Sequence, residues 1–289
     1  MTASNRRFAG LVLSTSLVLA TSVLPGAAAA AEGAVGLGTA ASYAVLAGET
    51  VTNTGPSTVV GDIGLHPGTA VDGFPPGMVT DGVIHAADDP ALAAKAALGT
   101  AYDDAASRSS TGAITADLGE QTLLPGVYTG DALQLSGTLT LDAQGDAGAV
   151  FIFQAASSLT TASGSTVSLI NGAGACNVFW QVTSSATLGT GSTMVGTVMA
   201  LTSIWAGTNA HIQGRLLARN GEVTLDSNTF SRASCAEVVD TTTPTGGTVR
   251  RLPSTGATSD DGFLAAFVLV ALGGGMALAA RRSARRSLR

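Results

Sequence analysis

The sequence predicts a mainly β fold: a β-solenoid of triangular cross-section with one long α-helix packed alongside. Three observations predict it. A motif recurs at an offset of 18 residues, short alternating apolar runs fill the second half of the chain, and one stretch has helical periodicity. The chain is also poor in charged (12%) and aromatic (4%) residues. Such a composition favours thin, stacked coils, because small side chains let neighbouring backbones approach closely.

The N-terminus carries a predicted secretion signal over residues 1–31. Arg6 and Arg7 precede an apolar run from Phe8 to Leu24, which a Pro-Gly pair and a run of alanines follow. This order is typical of a signal peptide, here cleaved after Ala31. A retained membrane helix is the alternative, but Ser and Thr interrupt the apolar run and a helix breaker ends it.

A single helix is predicted at about residues 90–107. Asp89 can cap it, and Pro90 suits the first helical position. One face is apolar and mostly small, so the helix should lie close along a flat partner surface. The residues of that face are Ala91, Ala94, Leu98, Ala101, Tyr102 and Ala105.

The strand pattern supports a solenoid rather than a sandwich or barrel. Ser185–Gly196 aligns with Ser203–Gly214, and Ser158–Val167 matches Ser185–Met194 across a longer excursion that holds Cys176. Three short strands in each turn of 18 residues indicate coils stacked about 4.8 Å apart. A sandwich or barrel would need hairpins, and the Asn-Gly pairs fall between repeats. The predicted strands are Leu135–Leu141, Val150–Phe153, Val167–Ile170, Val178–Val182, Val195–Leu201 and Val223–Leu225.

Each repeat contains a hydroxyl-rich step of four residues, at 163–166, 190–193, 208–211 and 226–229. In a strand, the first and third side chains would point to one side and the second and fourth to the other. Stacking in register would then give ladders of small polar groups on a flat surface. The alternative is that Thr and Ser merely suit a solvated β face.

Charge and motif content argue against nucleic-acid binding and catalysis. Residues 32–255 carry 7 basic and 18 acidic side chains, a net charge of about −11, which disfavours nucleic acid as a partner. No carboxylate pair recurs in the repeats, and no nucleophile elbow or phosphate loop is present. His66, His85 and His211 are scattered. We therefore predict no catalytic residue and no metal site.

Two cysteines, Cys176 and Cys235, lie in the predicted exported part. An even pair outside the cell predicts one disulfide, with two buried thiols as the alternative. It would tie a turn in the middle of the domain to its end.

The C-terminus resembles a sortase sorting signal over residues 252–289. After a polar linker at 237–251 come Leu252-Pro253-Ser254-Thr255-Gly256, an apolar run at 263–280 and an arginine-rich tail at 281–289. The apolar run is just long enough to span a bilayer, with the arginines held in the cytoplasm. The resemblance implies cleavage between Thr255 and Gly256 and transfer to peptidoglycan, so the membrane anchor is transient. A plain single-pass protein is the alternative.

Residues 32–236 form the remaining predicted domain, and eight sequence blocks within it resemble the microbial ice-binding proteins. The blocks begin at Leu37 and continue in family order to Gly221: LGTA (37–40), VTNTGP (51–56), GDIG (61–64), GFPPG (73–77), LPGVY (124–128), VFIFQ (150–154), ACNVFWQV (175–182) and ARNG (218–221). The resemblance implies a discontinuous right-handed solenoid, with the helix alongside and the N-terminal segment completing the stack. It also implies no cofactor and no catalysis.

The resemblance also implies a function for the four-residue steps, because family members bind ice through stacked Thr-Ala/Gly-x-Thr/Asn steps. Residues 190–193 fit that step fully and the other three depart from it. Candidate ice-contacting residues are Ser163, Ser165, Thr166, Thr190, Ser192, Thr193, Thr208, Asn209, His211, Asn228 and Thr229. The expected partners are ice or ordered water, sortase and peptidoglycan, on the wall of a Gram-positive bacterium. The rival hypothesis is a wall-anchored adhesin that binds a carbohydrate or host surface.

Overall fold

The structure, a computed structural model, describes residues 32–233. Within them are 22 β-strands, one α-helix and two short 3-10 helices. The helices are the 3-10 helix Gly38–Ser42, α1 (Asp89–Ser107) and the 3-10 helix Ala175–Asn177. The strands are β1 (Tyr43–Ala47), β2 (Thr50–Thr54), β3 (Thr58–Val60), β4 (Asp62–Leu65), β5 (Ala70–Asp72), β6 (Met78–Thr80), β7 (Ile84–Ala86), β8 (Gly112–Ala113), β9 (Thr122–Leu123), β10 (Gly126–Gly130), β11 (Leu133–Leu135), β12 (Thr138–Asp142), β13 (Phe151–Ala155), β14 (Leu159–Thr161), β15 (Thr166–Ile170), β16 (Val178–Val182), β17 (Ala186–Leu188), β18 (Thr193–Ala200), β19 (Ile204–Ala206), β20 (His211–Ala218), β21 (Val223–Asp226) and β22 (Thr229–Ser231).

The strands pair in parallel and form three stacks. The helix-side sheet runs β8-β10-β13-β16-β18-β20-β1-β4-β7. The threonine sheet runs β9-β12-β15-β18-β20-β22-β3-β6. The tryptophan sheet runs β11-β14-β17-β19-β21-β2-β5. The fold is therefore mainly β, with parallel sheets and one α-helix.

The long strands β18 and β20 belong to two sheets at once, and a pair of glycines makes this possible. Gly196 and Gly214 stand in register in the middle of these strands, both with positive φ. A Cβ atom on Gly214 would lie 1.9 Å from the carbonyl oxygen of Gly196. Only glycine fits such a close approach of two backbones.

The strand register confirms the predicted period of 18 residues. Thr193 pairs with His211 and Ala186 with Ile204, each 18 positions apart. One coil earlier the offset is 27 residues, as between Thr166 and Thr193, because the excursion with Cys176 lies between them. The right-handed sense of the coil and its triangular cross-section stay predictions.

The N-terminal segment completes the stack, as the family resemblance implied. Strand β2 pairs with β21, and β3 pairs with β22. On the helix-side sheet, β1 lies between β20 and β4. The last C-terminal coil is therefore covered by N-terminal coils, and this end of the C-terminal repeats has no free edge.

Helix α1 packs on the helix-side sheet through the predicted face, whose six residues are all buried. The Tyr102 hydroxyl donates to the carbonyl oxygen of Val182 at 3.2 Å. The predicted cap was wrong by one residue. Asp88 caps the helix, because its side chain accepts from the backbone N–H of Ala91 at 2.9 Å.

The interior between the sheets is apolar, and its largest side chains stack along the coil axis. The rings of Phe153 and Trp180 lie 4.1 Å apart between centroids and nearly parallel. Both are fully buried, and the Trp180 indole N–H donates to the carbonyl oxygen of Val195 at 2.9 Å. A close-packed, hydrogen-bonded interior fixes the positions of the outward side chains.

The structure does not confirm two other predictions, one of a strand and one of a membrane span. The predicted strand Leu135–Leu141 is two strands, β11 and β12, because Gly137 adopts a positive φ of 86° and turns the chain. No helix between Glu32 and Ala233 is long and apolar enough to cross a membrane. The predicted span at 263–280 lies outside these residues, so the described structure gives that prediction no support.

Candidate functional site

One continuous row of side chains, five of seven of them threonines, follows the threonine sheet from coil to coil. Each member is the first residue of its strand, and each stands in register with the next. We call this row the threonine ladder. In spatial order it consists of Thr138, Thr166, Thr193, His211, Thr229, Thr58 and Met78.

The ladder side chains point to solvent, because the next residue of every strand points inward. Val167, Met194 and Ile212 are buried core residues that directly follow ladder positions. The ladder side chains themselves are half-buried or exposed. None of the seven positions holds a carboxylate, lysine or arginine. The row is therefore polar up to its last member, the exposed Met78.

A second outward row lies two residues further along the same strands. Thr140 pairs with Ser168, and Gln213 pairs with Ser231. This row is less regular, because Val195, which pairs with Gln213, is buried. The threonine sheet thus presents small, mostly hydroxyl-bearing side chains over several coils.

The four-residue steps do not lie flat on this surface as predicted, because only their fourth residues reach it. They form the corner between the tryptophan sheet and the threonine sheet. Their second residues have positive φ, at Gly164, Gly191, Asn209 and Ser227. A left-handed residue interrupts the alternation of a strand and rotates the next side chain inward. The assumption that first and third residues share one outer side was therefore wrong.

Three candidate residues are buried by this turn and cannot contact an external surface. They are Ser165, Ser192 and Asn228, each at most 1% exposed. Asn228 donates from Nδ2 to the carbonyl oxygen of Gly207 at 2.7 Å and accepts from the N–H of Asp226 at 2.8 Å. Asn228 thereby holds the corner, as does Ser165, whose Oγ donates to the carbonyl oxygen of Ala162 at 2.8 Å. The buried Ser192 hydroxyl has no hydrogen-bond partner within residues 32–233.

The other candidates divide between the corner and the ladder. Ser163, Thr190 and Asn209 are exposed at the corner. Thr208 is half-buried there, and its hydroxyl donates to the Asp226 carboxylate. The fourth residues of the steps enter the ladder, and these are Thr166, Thr193, His211 and Thr229.

Sequence reasoning missed Thr138 and Thr58, although both are ladder members. For Thr138 a signal existed: Gly137 before it repeats the glycine of the other turns in a shortened form. Thr58 follows a corner lengthened by Pro56, and its partner Thr229 lies at the other end of the domain. No local repeat connects that pair.

The tryptophan sheet carries a second outward row with a different character. A tryptophan that is 47% exposed, Trp205, interrupts it near the middle. The row ends on a carboxylate at Asp72. Its members in register are Gln134, Thr160, Thr187, Trp205, Thr224, Thr52 and Asp72.

Two groups with shifted pKa values, Lys95 and Tyr43, lie away from both rows, in supporting positions. Burial, and then the charge of Arg219, lower the pKa of Lys95 to about 8. Its Nζ donates to the carbonyl oxygens of Ala218 and Arg219, at 2.6 Å each, and so ties α1 to the end of β20. Burial, followed by the charges of Asp62 and Asp88, raises the pKa of Tyr43 to about 12. These groups hold the helix side of the fold.

Metal-ligand clusters of three or more His, Cys, Asp or Glu side chains do not occur within residues 32–233. His85 pairs with Asp88, the helix cap, at 2.7 Å. His66 is separate from that pair, and His211 is a ladder residue.

Two predicted features fall wholly or partly outside the described residues. Cys176 is disulfide-bonded, and its Sγ lies 3.6 Å from the carbonyl oxygen of Ala233. Its predicted partner Cys235 lies beyond Ala233, so the pairing stays a prediction. Thr255 and Gly256, the predicted sortase cleavage site, also lie outside.

Comparison with known proteins identifies relatives of the whole β domain. An ice-binding protein of Nostoc sp. (strain HG1) is 48% identical over 200 residues, which cover 68% of this chain and 74% of that protein. One from Colwellia sp is 34% identical over 219 residues, covering 70% and 85%. A crystal structure of an ice-binding protein from an Antarctic biological consortium superposes with a TM-score of 0.68 and 46% identity, covering 72% of this chain and 95% of that one.

A family model described as ice-binding-like matches residues 45–231, which is nearly all of the described structure. That match includes all seven strands of the threonine ladder and the whole of α1. Together with the identities above, it shows that this chain belongs to the ice-binding-like family.

Proposed function

We propose that this chain binds ice through the threonine ladder and the outward row beside it. The observation that carries the proposal is the register of the ladder: five of seven successive positions are threonine, and none is a carboxylate, lysine or arginine. The names of the relatives support the same activity.

The chemistry of a stacked threonine row suits a solid water surface. Each residue offers a methyl and a hydroxyl group, and its side chain is stiff at χ1, so little rotamer entropy is lost on contact. Parallel strands repeat these groups at about 4.8 Å along the row. The affinity is then the sum of many weak terms over a large, rigid area.

The tryptophan sheet is a poorer candidate for the same contact. The indole of Trp205 projects between Thr187 and Thr224, its neighbours in register. A projecting ring would hold a planar lattice away from the threonines on both sides. We therefore assign ice contact to the threonine sheet, with the exposed corner residues Ser163 and Thr190 along its edge.

Observation of single ice crystals tests this function directly. In a solution of the chain, we expect faceted crystals and a measurable gap between the melting and freezing temperatures. Round discs and no gap, together with unchanged recrystallisation, would contradict the proposal. If such a protein bound a polysaccharide instead, the adhesin hypothesis would replace it.

We further propose that the chain is exported and attached to the wall of a Gram-positive bacterium. The ordered sorting signal from Leu252 to the arginine tail supports this. A wall-bound domain would hold the cell against ice instead of circulating. Neither catalysis nor a cofactor is part of this proposed function.

Replacement of single residues in the sorting signal tests the attachment. Thr255→Ala removes the residue whose carbonyl the transfer requires, so the protein should disappear from the lysozyme-solubilised wall fraction. Ser254→Ala changes the variable position of the signal and should leave attachment intact. Equal wall attachment of both variants would rule out sortase transfer at Thr255.

A further inference from the structure

A buried arginine in β20 lacks an acidic partner. Arg215 is 9% exposed, and its Nε donates to the carbonyl oxygen of Ala41 at 3.0 Å. Its Nη1 lies 3.5 Å from the hydroxyl of Thr197. Both partners are neutral, and no ion pair of Arg215 is found within residues 32–233.

A second arginine without an ion pair in the described part of the chain lines the same cavity. Arg232 follows β22, and its charge contributes, after burial, to lowering the pKa of Arg215. The other two arginines of residues 32–233 are paired. Arg108 binds Glu32 and Asp104, and Arg219 binds Asp103.

The cavity between the two arginines has a volume of about 10 Å³, which is room for about one water-sized group. Its remaining lining is neutral and comes from residues 41–44, Val60, Gly214 and Ala233. A buried charge that is neither paired nor fully hydrogen-bonded is unfavourable, and two like charges beside one cavity add repulsion. Guanidinium groups bind anions through charge-assisted hydrogen bonds.

We propose that Arg215 and Arg232 bind a small inorganic anion in this cavity, either chloride or one oxygen of phosphate or sulfate. The anion takes the place of the missing carboxylate. The site lies where residues 41–44 meet β20, at the insertion of the N-terminal segment into the stack. A bound anion therefore fastens the N-terminal segment to the C-terminal coils, independently of any ice contact.

Thermal unfolding of the full chain tests the site. Sodium chloride and sodium phosphate are titrated separately, with sodium gluconate keeping the ionic strength constant. We expect the unfolding midpoint of the wild type to rise and saturate with at least one of the two anions, because a ligand that binds only the folded state stabilises it. Arg215→Met and Arg232→Gln should both lose the saturable rise. Since Arg232 is exposed, its variant remains informative if Arg215→Met does not fold.

A matched control and one further variant make the result decisive. Arg219→Met removes an arginine paired with Asp103 and should keep the anion dependence of the wild type. Parallel shifts in the wild type and Arg232→Gln, or no shift in either, would overturn the proposal. A rise seen only in Glu237→Gln would mean that the chain's own carboxylate, from a residue outside the described structure, fills the site, and the free-anion proposal would be wrong.

Discussion

Thr58 pairs in register with Thr229, so the N-terminal coils continue the row of side chains that the C-terminal repeats begin. The junction is fixed one residue earlier as well. There the N–H of Asn228 donates to the hydroxyl of Ser57 at 2.8 Å, across 171 residues of sequence. The length of the ladder therefore depends on a contact between two segments that lie far apart in the sequence.

Asn228→Ala should destabilise this junction. The side chain is fully buried and makes two hydrogen bonds, to the carbonyl oxygen of Gly207 and from the N–H of Asp226. Truncation leaves the part-buried N–H of Asp226 without this acceptor, whereas the carbonyl oxygen of Gly207 still accepts from the N–H of Ala210 at 3.1 Å. We therefore expect a loss of about 1 to 2 kcal/mol in the free energy of unfolding. Urea denaturation of the full chain measures it, and a loss below about 0.5 kcal/mol would contradict the assignment.

Ser192→Ala, at the equivalent corner position of another coil, should have the opposite effect on stability. The Ser192 hydroxyl is buried and has no hydrogen-bond partner within residues 32–233, and Ala210 fills the equivalent place one coil later. Removing an unsatisfied buried hydroxyl should raise the free energy of unfolding by about 1 kcal/mol. Ice shaping should not change, because this side chain does not reach the surface. Reduced ice activity at unchanged stability would show that Ser192 contacts ice after all.

The sequence was sufficient for the period, the helix and its buried face, because these depend on local spacing. It was insufficient to predict that the four-residue steps turn the chain at a corner. The series Gly164, Gly191 and Asn209 consists of residues that tolerate positive φ, but Ser227 does not fit that series, and the steps looked like strand. The resemblance supplied the completed stack, but no repeat could align Thr58 with Thr229. Such non-local register follows only from tertiary packing.

The pKa of Lys95 predicts a pH dependence of stability. In the folded chain it is about 8, against 10.5 as the ordinary value. Between these values the unfolded chain binds the extra proton, so stability should rise with pH, by at most about 1.4 kcal/mol per pH unit. Above pH 10 Tyr43 opposes this, because its pKa is raised to about 12 and the unfolded tyrosine ionises first.

Unfolding midpoints measured from pH 7 to pH 10 check the Lys95 prediction. Lys95→Met removes the titrating group but keeps most of the apolar stem, so its midpoint should stay level over the same range. A wild-type midpoint that is level or falls would show that the folded chain keeps the Lys95 ammonium charged.

The predicted pairing of Cys176 with Cys235 should stabilise the exported domain. Closing a loop of that length contributes about 4 kcal/mol in the chain-entropy model. The intact mass of the alkylated but unreduced chain should show no labelled thiol, and Cys235→Ser should lower the unfolding midpoint. Two labelled cysteines in the wild type would refute the pairing.

Substitution of Thr193 tests the assignment of the ice-contacting sheet. It sits within the ladder between Thr166 and His211, and its side chain is partly exposed. A tyrosine there would project between the coils and keep a planar lattice from its neighbours, so Thr193→Tyr should abolish faceting and the gap between melting and freezing. Thr187→Tyr places the same side chain on the tryptophan sheet of the same coil, beside Trp205, and should leave both readouts intact.

Neither change should alter the free energy of unfolding by more than about 0.5 kcal/mol, since both sites face solvent. Loss of ice activity in Thr187→Tyr alone would show that the tryptophan sheet contacts ice. Ice activity retained in both variants would show that neither row does.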